Sequence, residues 1–287
     1  MPTDSLKLFL TKLIDYAGLF PPANLNLIPA LKNYRTYIEC EDHWIISQFI
    51  IPVNELENIS DSEMENFNNK FQLDLSILSG NLFDDIEKLK SFKCKYSNKI
   101  AFSGLETRIG KIEEFQELIS STNFTINNEN LNLATFFELH YGDDWVENMQ
   151  IAVKTISDFN KNNQSNFGFK LRCGGIKADM FPEPTFVANA IIHCIKYDVP
   201  MKFTAGLHHP IRHHSSEYDT EMHGFINMFC ASTFASTFPK PENEQEKFRM
   251  FILLSHMIDC QNESDLTLSF KTKFMINHGA YSLSLKR

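Results

Sequence analysis

The sequence predicts an α/β fold, a (β/α)8 TIM barrel that forms a single domain over residues 1–287. Short apolar runs rich in β-branched and aromatic residues recur along the chain, and the first seven are spaced by about 30 residues, the length of one βα unit. Longer stretches with the apolar spacing of helices separate them. A complete barrel takes about 250 residues, so both the spacing and the length are typical of a barrel.

The eight predicted strands are centred on Ala17, Gln48, Ser76, Gly104, Phe137, Lys170, Phe203 and Met275. Helical spacing predicts helices over residues 84–92, 113–119 and 184–195, the last with Pro184 in its first turn, where the missing N–H is harmless. The Asn-rich stretches 123–132 and 160–166 are predicted loops, as is the polar segment 239–247.

The interval between the seventh and eighth predicted strands, from Phe203 to Met275, is more than twice what one βα unit needs. Two apolar stretches in this interval, 224–238 and 248–258, exceed ordinary strand length and are predicted to be helices. The preceding segment, 207–223, is rich in histidine. We expect it to be an insertion after strand seven, at the carboxyl-terminal face of the barrel.

Composition and charge exclude several classes of partner. The chain has 27 Lys and Arg against 36 Asp and Glu, a net charge of -9, whereas nucleic acids and anionic membranes select a basic excess. No apolar run reaches the roughly 18 residues of a membrane span, and the first residues do not resemble a signal peptide. The six cysteines form no CxxC pair. We therefore expect a cytoplasmic protein with reduced cysteines.

Strand alternation places polar side chains inside the predicted barrel. In FGFKLRC the apolar residues Phe167, Phe169 and Leu171 share one face, so Lys170 and Arg172 point to the other. Barrel interiors are ordinarily filled by Val, Ile and Leu, and buried charges must pair or hold a ligand. The alternative is an internal salt-bridge network without chemistry. The predicted inward set includes Asp74, Ser76, Glu106, Glu138, Lys170, Arg172, Lys202 and Thr204.

The two inward lysines predict Schiff-base chemistry. An amine held inside a barrel near other cations loses solvation of its charged form and can attack a carbonyl. Lys170 and Lys202 are the candidate nucleophiles, and Glu138 is the candidate proton shuttle. Glu106 is a further candidate catalytic carboxylate. Schiff-base aldolases are barrels that carry such a lysine on strand six or seven, which is an argument by fold analogy.

Glycines after strand six predict an anion site. Gly174 and Gly175 would let backbone N–H groups approach a phosphate or carboxylate, with Arg172, Arg212 and Thr204 as further substrate contacts. The alternative for the glycine pair is a plain tight turn.

The run HHPIRHH allows a metal site as an alternative. His208 and His209 are the candidate ligands, and a glutamate would complete the set around a divalent metal. The HxH motif of barrel amidohydrolases and the HExxH motif are both missing from the chain. We therefore predict no cofactor and expect His208 and His209 to contact substrate.

Four blocks resemble an uncharacterised family of bacteria and plants, whose members carry KLRTGG-like and FKATAGLHHP-like blocks. The matching stretches are DYAGLFPPA, FGFKLRCGG, KFTAGLHHP and HGFINMF. This chain departs from the family at Cys173, where Thr is usual, at Gln48, where Arg is expected, and in its C-terminal block. The resemblance implies a barrel-like fold and no known activity. It also implies one site made of Asp15, Lys170, Arg172, Lys202, His208 and His209.

The function expected from the sequence is lyase or aldolase-like chemistry on a small anionic carbonyl compound through a Schiff-base lysine. One alternative is a metal-dependent hydrolase or isomerase that uses His208 and His209. The other is a non-catalytic barrel that binds a metabolite or a protein. The expected partner is a small anionic metabolite, with no nucleic acid or membrane, and the sequence is compatible with a homo-oligomer.

Overall fold

The structure of the chain is a computed structural model that describes residues 4–142, 144–237 and 243–262. Strands and helices alternate through most of these residues. The strands are β1 (Ile14–Tyr16), β2 (Ile46–Pro52), β3 (Leu73–Leu78), β4 (Ile100–Ile109), β5 (Ala134–Leu139), β6 (Gly168–Arg172), β7 (Met201–Thr204), β8 (His213–Ser215) and β9 (Thr220–Met222). The helices are α1 (Asp4–Leu10), α2 (Leu27–Glu39), α3 (Asp61–Met64), α4 (Leu82–Tyr96), α5 (Phe115–Asn128), α6 (Trp145–Asn163), α7 (Pro184–Tyr197), α8 (Phe225–Thr237) and α9 (Glu244–Asp259).

The chain divides into two compact units, Met1–His140 with Phe159–Gly168 and Tyr141–Asp158 with Phe169–Arg287. The first unit contains β1 to β5, in which each strand pairs in parallel with the next. Side chains on one face of this sheet form its core, and Leu73, Leu75 and Ile77 of β3 are fully buried there. That face carries the alternating apolar residues that the sequence pattern predicts.

The second unit contains the parallel pair β6 and β7 and the antiparallel hairpin β8–β9. Helices α7, α8 and α9 pack against one another in this unit. Their shared core includes Val187, Ala188, Leu254 and Met257, all of which are fully buried. The His-rich segment predicted as an insertion after strand seven forms the hairpin and the loop that leads into it.

The prediction of a closed eight-stranded barrel is wrong. The parallel strands form an open seven-stranded sheet in the order β1 to β7, accompanied by a separate two-stranded sheet. Within the described ranges no eighth parallel strand joins β7 to β1, because the chain after β7 enters an antiparallel hairpin and two helices. The eighth strand predicted at Met275 lies outside the described residues, and the prediction of one domain over 1–287 stays a prediction.

The predicted helices are confirmed, and the predicted loops are partly wrong. Helices α4 and α7 cover the predicted segments and extend them, α5 begins two residues later than predicted, and the two long apolar stretches after strand seven fall on α8 and α9. The Asn-rich loops begin later than predicted, because α5 continues to Asn128 and α6 to Asn163, and α9 begins inside the third predicted loop. Tertiary packing of their apolar faces outweighs the weak helix propensity of asparagine.

Among the helices that the structure describes, none has the length and apolar character needed to cross a membrane.

Candidate functional site

The sheet of the first unit has one polar face opposite its apolar core. Strand register aligns Ser76 of β3 with Gly104 of β4, after a bulge that follows Leu75. A Cβ at Gly104 would stand 2.3 Å from Gln48 Oε1 and 2.5 Å from Ser76 Oγ, so only glycine leaves room for these two polar side chains. The bulge also changes the predicted alternation of β4, which set Ala101 and Glu106 on opposite faces. Ala101 is aligned with Asp74 and Glu106 with Leu78, so both share the face of Ser76.

Both glutamates predicted to face inward lie on this polar face and are buried. Glu106 is 4% exposed, and its Oε1 accepts a hydrogen bond of 3.1 Å from Ser76 Oγ. Glu138 is also 4% exposed, and its Oε1 lies 3.7 Å from Arg108 Nε, whose side chain is mostly in solvent. Carboxylates buried this far require donors or cations, so each contributes to an organised polar face rather than to the apolar core.

Asp15 links the first two strands of the same unit. Its Oδ1 accepts a 3.0 Å hydrogen bond from the backbone N–H of Gln48, beside the irregularity in the pairing of β1 with β2. The side chain that the family resemblance includes in the predicted site therefore also satisfies a main-chain donor.

A second cluster of the first unit lies at the amino ends of its strands. A cavity of about 650 Å³ is lined there by residues that include Lys12, Tyr34 and Asp74. Asp74 Oδ1 is buried and has no hydrogen-bond partner within the described residues, and burial raises the pKa of this carboxyl. The cavity is distinct from the carboxyl ends of the strands, where the sequence predicts the site.

In the second unit, the strand ends bring together four of the predicted residues. Lys170 is aligned with Lys202 and Arg172 with Thr204 across the parallel pair β6–β7. Residues in register and two apart share a face, so all four belong to one side of this pair. The opposite side carries Phe169 and Leu171, at most 1% exposed, and aligned with them Met201 and Phe203. Lys170 is 9% exposed, while Lys202, Arg172 and Thr204 are half-buried.

The loop after β6 is held tightly against the end of β7. The Cys173 N–H donates to Thr204 O at 2.7 Å, Arg172 Nε donates to Gly174 O at 2.9 Å, and Tyr141 donates its hydroxyl proton to Arg172 O. Burial raises the pKa of the Cys173 thiol, which keeps it a neutral core group.

The glycines of this loop serve close packing. A Cβ at Gly174 would stand 2.7 Å from Gly206 Cα and 2.6 Å from the Phe181 ring, and one at Gly175 would stand 2.4 Å from Met180 Sδ. Gly206 itself has φ +68°, a left-handed conformation that favours glycine. The geometry therefore favours the tight-turn interpretation of the glycine pair over the anion-cradle interpretation.

The histidine segment after β7 places three imidazoles near one another. His208 and His209 are exposed, and the rings of His209 and His213 have centroids 4.0 Å apart. Partial desolvation and the charges of His209 and His213 lower the pKa of His208, while Glu217 opposes this shift. The lowered pKa favours the neutral imidazole of His208, which can accept hydrogen bonds and exchange protons with a substrate.

Arg212 lies in a buried network with His223 and Asp259. Its side chain is 7% exposed, and Nη1 lies 3.0 Å from Nδ1 of His223. Nε2 of His223 lies 2.6 Å from Pro182 O, which can only accept, so Nε2 carries the proton and Nδ1 accepts from Arg212. Burial, and next the charge of Arg212, lower the pKa of His223 to about 4. Arg212 Nε and Asp259 Oδ1 form an ion pair at 3.1 Å.

Asn227 is a residue of this region that the sequence reasoning missed. It is fully buried in α8, and its Oδ1 accepts from the backbone N–H of Arg212 at 3.0 Å. Its Nδ2 donates to Met257 O at 2.9 Å and to Cys260 O at 2.8 Å. The available signal was a single amide within the otherwise apolar run GFINMF.

Among the described residues, no group of three or more His, Cys, Asp and Glu side chains is placed to hold a metal ion. The metal-dependent alternative therefore gains no support from the His208 and His209 segment. Comparison of the chain with family models, curated proteins and solved structures finds no match. The resemblance of the four sequence blocks to an uncharacterised family thus stays a prediction.

Proposed function

We propose that the chain is an enzyme with lyase or aldolase-like activity on a small anionic carbonyl compound, and that Lys170 forms a Schiff base with it. The observation that carries this proposal is the alignment of Lys170, 9% exposed, with Lys202 on the polar side of β6 and β7. Burying the Lys170 amine beside the Lys202 amine costs free energy of folding. A role of Lys170 in covalent catalysis gives a functional reason for that cost.

The chemistry begins with attack of the Lys170 amine on the substrate carbonyl. The carbinolamine loses water to give a cationic imine. A base then takes the proton of the substrate's β-hydroxyl, the C–C bond breaks to release that fragment as an aldehyde, and the electron pair of the bond moves to the imine nitrogen. Protonation of the resulting enamine and hydrolysis then release the product and regenerate the amine. These steps require a group that takes up and returns protons. Glu138, the shuttle expected from the sequence, belongs to the first unit, and its role stays a prediction. Within the second unit we assign this role to His208, which follows β7 and has a lowered pKa.

Recognition of an anionic substrate is assigned to Arg172 and Thr204, which are in register at the ends of β6 and β7. The guanidinium of Arg172 donates through Nε to Gly174 O, a bond that orients its remaining N–H groups. His208 and His209 follow β7 by a few residues and are exposed to substrate. Arg212, which the sequence also assigns to this role, is left out of the proposal because it is engaged by His223 and Asp259.

Borohydride trapping tests the proposal. The protein is incubated with a panel of 2-keto acids, beginning with pyruvate, and of sugar phosphates, then reduced and mapped by peptide mass spectrometry. We expect a reduced adduct on Lys170, its loss in Lys170→Arg, and its retention in Lys161→Arg, a matched change at an exposed lysine. Absence of an adduct on Lys170 across the panel would refute the proposal. His208→Gln tests the proton transfer, with adduct formation expected to slow by roughly a hundredfold or more.

A further inference from the structure

The buried amide of Asn227 connects three parts of the second unit. We call the group Arg212, His223, Gly224 and Asn227 the amide joint. A Cβ at Gly224 would stand 2.4 Å from Asn227 Oδ1, so glycine is needed there for the amide to fit. His223 binds Pro182 O on one side and Arg212 on the other. The joint thus explains why His, Gly and Asn occur together in the block HGFIN.

The joint holds the histidine segment through its backbone. The N–H groups of Phe225 and Ile226 donate to the carbonyls of His209 at 3.0 Å and Pro210 at 2.9 Å. The backbone N–H of Arg212 donates to Asn227 Oδ1. Three hydrogen bonds therefore anchor residues 209–212 to the start of α8.

The other side of the joint is the end of α9. The last carbonyls of a helix have no partner inside the helix, and Asn227 Nδ2 uses both of its protons to bind two carbonyls there, those of Met257 and Cys260. Every hydrogen-bonding site of this amide except one oxygen lone pair is thereby used. Its orientation is fixed, because a flipped amide would set its oxygen against two carbonyl oxygens.

We propose that Asn227 is a positioning residue that uses the end of α9 to fix His208 and His209 for contact with the substrate. This inference rests on the proposed function. A fully buried amide in an apolar helix contributes little net stability compared with a well-packed apolar side chain. The amide adds specificity. Its three hydrogen bonds fix one position of residues 209–212 relative to α8 and α9, which a non-directional apolar contact would not do.

The variant Asn227→Asp tests the proposal, because it keeps the size of the side chain and the acceptor for Arg212 but removes both donors. The matched control is Asn163→Asp, at an exposed amide whose Nδ2 donates to Phe159 O at 3.0 Å. If Asn227→Asp does not fold, Asn227→Ser removes the same donors without adding a charge. Folding is verified by circular dichroism and thermal unfolding before either measurement.

Two readouts separate positioning from packing. The first is the nuclear Overhauser effect between the rings of His209 and His213, which we expect to vanish in Asn227→Asp and to persist in the control. The second is borohydride trapping of pyruvate on Lys170 as a function of pyruvate concentration. We expect the half-saturating concentration to rise on the order of tenfold, with an unchanged maximum extent of trapping.

An unchanged ring contact together with an unchanged half-saturating concentration in a folded variant would overturn the inference. A fall in the maximum extent of trapping at an unchanged half-saturating concentration would also overturn it, because that result indicates general damage. If the native protein forms no adduct, the proposed function has failed. The ring contact and the exchange rates of the Arg212, Phe225 and Ile226 amides then decide whether the joint fixes the segment.

Discussion

The buried histidine of the amide joint predicts how the stability of the second unit depends on pH. His223 is fully buried and neutral, donating to Pro182 O and accepting from Arg212. Its protonation would place a second positive charge beside Arg212 and remove the acceptor. The pKa of His223 is accordingly lowered from its ordinary value of 6.5 to about 4.

The direction of the effect follows from proton binding. Between pH 6.5 and 4 the unfolded chain binds a proton at this histidine and the folded chain does not, so the free energy of unfolding falls as the pH falls. A pKa difference of this size corresponds to about 3 kcal/mol in total. About 2 kcal/mol of it is lost by pH 5, at which most carboxylates are still ionised.

Urea unfolding at pH 7, 6 and 5 measures this dependence. Trp145 is 2% exposed and belongs to the same unit as His223, so its fluorescence in a Trp44→Phe background reports on that unit. We expect His223→Gln to lose less stability than the native protein between pH 7 and 5, by about 2 kcal/mol. The control is His256→Gln, at an exposed position of α9. Parallel pH dependences of the native protein and His223→Gln, within about 0.5 kcal/mol, would refute the reasoning.

Three further predictions follow from single contacts. Gly224→Ala should destabilise the second unit by about 2 kcal/mol or more, because the added Cβ would stand 2.5 Å from backbone atoms of Ile211. Gly110→Ala is the control and should change stability little, because the space around Gly110 is open. Equal urea midpoints of the two variants would contradict this prediction. Asp74→Asn should raise the thermal midpoint at pH 7, because burial raises the pKa of this carboxyl and its charged form destabilises the fold. The gain should shrink as the pH falls toward 4 and the carboxyl of the native protein is protonated. A lower midpoint of the variant at pH 7 would contradict this explanation. Asp259→Asn should cost less than about 1 kcal/mol, since Asp259 is 60% exposed, and a larger loss would show that its pair with Arg212 is not screened by solvent.

Local pattern predicts much of the fold. The alternation in FGFKLRC places Lys170 and Arg172 on one face, and the structure aligns them with Lys202 and Thr204. The apolar stretches after strand seven are predicted as helices from their length, and they form α8 and α9. Periodicity is a local property, so it can be recognised without knowing which elements become neighbours.

Closure of the sheet and the bonds of single side chains could not be predicted in this way. The regular spacing of the strands is the same for an open parallel sheet and a closed barrel, because each βα unit is built alike. Arg212 is predicted to be an anion contact, since sequence shows a charge but not its burial. The hydrogen bonds of Asn227 join residues 30 and 33 positions apart, a distance at which composition carries no signal.

The sequence by itself determined an α/β chain with seven parallel strands, several of its helices and a polar set of side chains on the strands. The tertiary structure decided that the seven parallel strands form an open sheet, and that glycines at 174 and 206 serve packing. It also decided that Arg212 binds a neutral histidine. The physical reason is the range of the forces involved. Alternation and helical spacing are set by neighbours along the chain, whereas burial and hydrogen bonding depend on which distant segments meet.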